Sequence, residues 1–159
     1  MVLNSSEVQK CLTGKVDPSQ VQQHGVDLTL LSICDLTGGE IYKENVRIGR
    51  ENALLPVRDT LTGKETYRLE QGYYAVYFEQ GVKIPANIKA NIIQRSSLAR
   101  SGAQISSSEY DPGFETANLG AYLTVYKPII IERGARVAQI VMAETNPVDS
   151  PYDGQYQGK

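Results

Sequence analysis

A chain of 159 residues with a hydrophobic fraction of 41% is sized for one domain around one core. Charged residues make up 21% and nearly cancel, leaving a net charge of -2, so no basic coat for nucleic acid or a membrane surface is present and any anion must be held locally. His24 is the sole histidine, and Cys11 and Cys34 lie far apart, so neither a zinc site nor a histidine-activated nucleophile has the residues it needs.

The start, Met1-Val2-Leu3-Asn4, has neither the basic region nor the apolar run of a secretory signal. No stretch reaches the roughly 20 apolar residues of a membrane helix. Two cysteines without metal spacing fit a cytoplasmic chain with free, buried thiols. Ser5 to Gly14 reads as a short helix. A serine caps it, Val8, Cys11 and Leu12 form its apolar stripe, and Gly14 stops it. Strand patterns then take over at Val26 to Ile33, Tyr73 to Phe78, Val82 to Ile84, Ile88 to Ile93, Leu119 to Tyr126, Ile129 to Ile131 and Val137 to Met142. Gly72, Gly81, Pro85, Gly102, Pro112-Gly113, Pro128 and Gly134 punctuate them. Many short strands and few helices imply an all-β barrel, sandwich or jelly roll. The ten tyrosines fit strand rims better than base-stacking platforms. Residues 1–145 read as one β domain. Residues 146–159, with little apolar pattern, read as an irregular tail.

Four segments carry chemistry. Gly25-Val26-Asp27-Leu28 sets an acid at the head of a strand, either as a turn residue or as a carboxylate for the hydrated Mg²⁺ that accompanies phosphates. Arg95-Ser96-Ser97-Leu98-Ala99-Arg100 gathers two cations and two hydroxyls. It suits a polyphosphate, or a short helix capped by its serines. Tyr110-Asp111-Pro112-Gly113-Phe114 places an acid at a Pro-Gly turn, either as a turn former or as a base for water. In Gly134-Ala135-Arg136-Val137-Ala138-Gln139-Ile140, Arg136 and Gln139 interrupt an apolar run, so each needs a partner, either a phosphate or a neighbouring acid.

In this order, over most of the chain, the four segments resemble the trimeric dUTPase and dCTP deaminase superfamily. The resemblance implies a distorted jelly-roll barrel of the β-clip type, with subunits in a homotrimer and active sites between them. Leu69 to Tyr74 and Val82 to Pro85 are also similar to family segments, whereas Thr37 to Thr66 matches nothing recognisable. The helix before Gly25, the second arginine Arg100 and the ending Gln155-Tyr156-Gln157-Gly158 resemble the deaminase branch, bifunctional members included. That branch carries a glutamate on the strand after the Asp-Pro-Gly turn. Ten residues on from Asp111 stands Ala121, which cannot move a proton.

The resemblance therefore implies a deaminase-like chain acting as a dUTP diphosphatase that yields dUMP and pyrophosphate. A dCTP deaminase, bifunctional or not, and a non-catalytic nucleotide-binding regulator are the alternatives. By resemblance, Asp111 is the general base. Arg95, Ser96, Ser97 and Gln139 hold phosphates, with Arg100 nearby, and Asp27 supports the hydration shell of Mg²⁺. Phe114 lies under the deoxyribose, backbone groups from Ser107 to Tyr110 read the uracil edge, and Tyr156 and Gln157 close over the nucleotide as a lid. Neither nucleic acid nor membrane is expected as a partner.

Overall fold

A computed structural model describes residues 1–159. Its frame is an antiparallel sheet of strands numbered here β1 (Gly25–Leu36), β2 (Gly72–Phe78), β3 (Ile88–Gln94), β4 (Ala103–Ser106), β5 (Gly120–Val125) and β6 (Arg136–Glu144). They are hydrogen-bonded in the spatial order β3-β6-β1-β2-β5-β4, and the short strand Glu51–Ala53 pairs with the far end of β1. The two ends of this path come back together. Tyr110 bridges to Ala90 on β3, and the Ile92 amide donates to the Ser107 hydroxyl at 3.1 Å. The sheet is thereby a nearly closed barrel, which leaves little open edge.

Alternation decides which residues fill it. In β5, Ala121, Leu123 and Val125 point inward with Leu119 just ahead of them, while Tyr122 and Thr124 point outward. Tyr74, Val76 and Phe78 do the same from β2. Thirty buried residues form one continuous cluster. Fully burying a side chain such as Phe78 or Ile140 contributes about 1.5–3 kcal/mol, so this cluster dominates the stability.

The N-terminal helix, α1 (Ser5–Cys11), forms as expected but for a different reason at each end. Asn4, not a serine, is the cap. Its side chain accepts from the Glu7 amide at 3.1 Å, and the Glu7 carboxylate accepts from the Asn4 amide at 3.0 Å. The helix ends when Leu12 turns extended and pairs with Val82, so Gly14, at φ +85, serves the following turn instead. Val8 and Cys11 anchor α1 on the core. Between Leu36 and Glu65 lie only strands of two or three residues with exposed side chains, so no alternation was there to read. No helix is long and apolar enough to cross a membrane.

Candidate functional site

Asp27 is the centre of the strongest polar cluster. It lies in β1 between Val26 and Leu28 and is only 1% exposed. A buried carboxylate is costly unless donors surround it, and here four do. Its Oδ2 forms an ion pair with Arg95 Nε at 3.2 Å and accepts from Arg136 Nη1 at 3.4 Å and Gln22 Nε2 at 3.0 Å. Gln139 Nε2 donates to Oδ1 at 3.4 Å. The neighbouring acid that Arg136 and Gln139 required is therefore Asp27. Two guanidinium groups on one carboxylate leave one net positive charge in the cluster.

Several local features make this possible. β6 pairs with β1 so that Gln139 sits opposite Asp27, and a register shift between Arg136 and Ala138 swings Arg136 toward the same acid. Arg136 also donates to the Ser19 carbonyl at 2.6 Å, and Arg95 to the Arg136 carbonyl at 3.2 Å. A 3-10 turn over Pro18–Gln20 supplies the remaining wall, and its Gln20 side chain donates to the Asp27 carbonyl at 2.8 Å. Gly25 is needed for close approach, because a Cβ there would stand 2.5 Å from the Ile140 carbonyl oxygen and 2.9 Å from Gln139 Cγ.

Beside the cluster opens a pocket of about 250 Å³ lined by Gln22, Asp27, Gln94, Arg95, Ser96 and Gln139, none of them hydrophobic. Such a lining suits a multiply charged oxyanion rather than an apolar ligand. The helix α2 (Ser96–Arg100) begins here with Arg95 in the N-cap position and no side-chain cap, so Ser96 and Ser97 are free of capping duty. Ser96 lines the pocket, whereas Ser97 and Arg100 lie outside its lining. Arg100 sits in the last turn of α2. Gln22 joins the site without having been singled out from the sequence, and Gln94 lines the pocket directly ahead of Arg95.

The Asp27 carboxylate borders the pocket while already engaged by two cations and two amides, so its first role within the chain is to hold Arg95, Arg136, Gln22 and Gln139 in place. No group of three or more His, Cys, Asp or Glu side chains gathers anywhere in a way that could hold a metal.

Asp111 stands elsewhere. Tyr110 is opposite Ala90 on β3, and Arg95 follows the other end of that strand. Five residues of strand separate these points by roughly 16 Å. Asp111 is exposed, joins none of the chain's ion pairs and does not line the Arg95 pocket. One chain thus keeps its carboxylate and its oxyanion pocket apart.

The residues around Asp111 are committed differently from expectation. The Tyr110 amide donates to the Ala90 carbonyl at 2.8 Å and its carbonyl accepts from the Ala90 amide at 3.1 Å, which pins this end of the hairpin to β3. The Ser107 hydroxyl is spent on the backbone of Ile92. Burial, with the nearby Tyr122 phenol, pushes the Tyr110 phenol above its ordinary pKa, and its hydroxyl donates to the Gly120 carbonyl. Phe114, expected beneath a sugar, is 8% exposed. Tyr110 and Tyr152 flank it, each with its ring centroid 5.3 Å away, so the ring packs under the turn. The lid residues lie against this same turn. Gln157 donates to the Gly113 carbonyl and accepts from the Glu115 amide, both at 3.0 Å, while Tyr156 stays half exposed.

Strand parity sets the surroundings of Ala121. The residue is 4% exposed on the core face, opposite Val76, so an acid there would be buried within the chain. The outward neighbours are Gly120 and Tyr122, and neither is an acid. Tyr122 stacks on Tyr73 at 5.8 Å. Burial raises its pKa, and the Tyr156 and Tyr73 phenols and Glu51 add to the shift. Glu51, the carboxylate nearest this face, is tied by both oxygens to the Tyr77 hydroxyl at 2.6 Å. Ala121→Glu is expected to restore no proton transfer and to destabilise the fold by about 2–4 kcal/mol, read by urea unfolding, because it buries an unpaired carboxylate. A variant of wild-type stability would show that the side chain escapes the core.

The fold is thus a nearly closed antiparallel β-barrel in which a buried acid, held among arginines and glutamines, borders a wholly polar pocket. The profile of the dCTP deaminase-like family matches residues 2–145, and the chain belongs to that family. It is 34% identical over 143 residues to a protein of Halobacterium salinarum named probable deoxyuridine 5'-triphosphate nucleotidohydrolase, covering 89% of this chain and 86% of that one. The deoxyuridine 5'-triphosphate nucleotidohydrolase of Methanocaldococcus jannaschii is 33% identical over 147 residues, 91% of each chain. The dCTP deaminase of Metallosphaera sedula is 30% identical across 100% of this chain and 94% of its own. The 2'-deoxycytidine 5'-triphosphate deaminase of Agrobacterium tumefaciens shares the fold, with a TM-score of 0.64 at 18% identity. That match covers 91% of this chain, which spans 48% of the Agrobacterium chain.

Proposed function

We propose that this protein is a dUTP diphosphatase. Relatives at 34% and 33% identity that carry the dUTP nucleotidohydrolase name support the reading. The observation that carries it within the chain is the Asp27–Arg95–Arg136–Gln139 cluster beside a pocket with no apolar lining. Arg95, Ser96 and Gln139 face the phosphates, with Ser97 and Arg100 at the rim. Asp111 accepts a proton from water as that water attacks the α-phosphorus. The bond from this phosphorus to the bridging oxygen breaks, and pyrophosphate leaves with the electron pair. Such a base contributes about 10²- to 10⁴-fold in rate, and the fixed positive donors supply electrostatic stabilisation. Magnesium enters here as part of the chelated substrate, held by the phosphates. The outward strand face beside the Asp111 hairpin bears Tyr122 instead of an acid, which argues against deamination of dCTP. Free Cys11 and Cys34 suit a reducing, cytoplasmic setting.

The separation of Asp111 from the Arg95 pocket supports a site shared between chains, and a homotrimer with sites between subunits completes the proposal. Mixing tests it. Arg95→Ala and Asp111→Asn subunits are each expected to be inactive. Denatured together in equal amounts and refolded, they should regain about a quarter of the wild-type rate, because random assembly pairs one intact pocket with one intact base that often. Pyrophosphate release from dUTP is the readout, and dCTP should give no uridine product. A mixture as inactive as its parents would reject a shared site, and dUTP binding by wild type without pyrophosphate release would reject hydrolysis.

A further inference from the structure

The end of the chain lies on the Asp111 turn, and it touches every residue of that turn except the aspartate. The Tyr152 amide donates to the Pro112 carbonyl at 2.9 Å, and the Gly158 amide to the Glu115 carbonyl at 2.8 Å. Between them Gln157 is a double clip, its Nε2 donating to the Gly113 carbonyl and its Oε1 accepting from the Glu115 amide. Below, the Tyr152 ring meets Phe114 edge-on. Gly113 has φ +88, and a Cβ on it would stand 2.6 Å from Pro151 Cβ, so the turn leaves room for this contact only as glycine. Asp111 itself remains exposed.

We infer that residues 151–158 are a strap of this chain that fixes its own Asp111 turn, with Gln157 as a positioning residue and not a nucleotide contact. The inference rests on the reading of Asp111 as the base. Each polar atom of the Gln157 amide spends one hydrogen bond on the turn, which ties the side chain to the backbone on both sides of Phe114. An exposed loop that carries a catalytic carboxylate needs such support, since small errors in placing a reacting group reduce the rate steeply.

Gln157→Ala should therefore lower kcat for dUTP by roughly 10- to 100-fold while KM stays within about twofold. Hydrogen exchange supplies a readout independent of turnover. In wild type the Glu115 and Gly158 amides should be protected, and in Gln157→Ala both should exchange much faster while β3 and β6 stay protected. A raised KM with kcat intact would make Gln157 a substrate contact and overturn the inference, as would wild-type kinetics or unprotected amides in the wild-type chain. Asp111→Asn, run alongside, separates the two ideas. If it retains turnover, the base assignment fails, whereas loss of protection in Gln157→Ala still establishes the strap.

Discussion

Asp111→Asn is expected to lose dUTP turnover by about 10²- to 10⁴-fold while keeping dUTP affinity within a few-fold. The substitution conserves size and removes only the proton acceptor. Little else should change, because the carboxylate is exposed and takes no part in an ion pair. The turn is held by its backbone, where the Phe114 amide donates to the Asp111 carbonyl at 3.1 Å and the Gly113 amide to the Ile84 carbonyl at 3.0 Å. Unfolding by urea should give the wild-type midpoint. A loss of turnover in a protein of unchanged stability and affinity then belongs to the chemical step. Pyrophosphate release and calorimetric titration with dUTP decide the matter, and wild-type turnover would remove Asp111 from the mechanism.

Where alternation was long enough, the fold could be read from the chain. β1, β2, β3, β5 and β6 all fall on segments of six residues or more that are apolar or alternate apolar with polar, rich in β-branched and aromatic side chains. Thr37 to Thr66 could not be read because its strands hold two or three exposed residues each, stabilised by pairing and not by a buried face. The same alternation, followed further, places Ala121 on the core face. Leu119, Ala121, Leu123 and Val125 mark one face of β5, and a residue count from Asp111 ignores that parity. The surroundings of Asp27 were hidden for the opposite reason. From Gly25 to Leu28 every residue of β1 is buried, so period two gives no sign that this acid faces arginines instead of solvent. Gln22 had no signal of its own, but Asp17-Pro18-Ser19-Gln20 carries a capping box that marks the turn placing it.

Asp27→Ala should have the second large effect, and its pattern distinguishes a clamp from a metal ligand. Removing the carboxylate leaves Arg95 and Arg136 with no shared counter-charge and takes the acceptor from Gln22 and Gln139. Breaking a fully buried pair this way costs about 3–5 kcal/mol. Here the arginine side chains are 30% and 36% exposed and can turn to water, so about 2–3 kcal/mol is expected. That corresponds to a melting point lower by roughly 5–10 °C. The two freed guanidinium groups then repel each other, and the pocket loses the geometry in which Arg95 and Gln139 meet phosphate. The result should be a rise in KM for dUTP and a fall in kcat/KM of roughly 10²- to 10³-fold. The Mg²⁺ concentration for half-maximal rate should not move, because the carboxylate is buried under four donors. The opposite pattern, with normal melting and an Mg²⁺ requirement shifted several-fold upward, would return Asp27 to the metal. Asp27→Asn sharpens the comparison. It keeps an oxygen for Gln139 but removes the negative charge between the arginines, so its KM should rise as far as in Asp27→Ala if charge is what shapes the pocket.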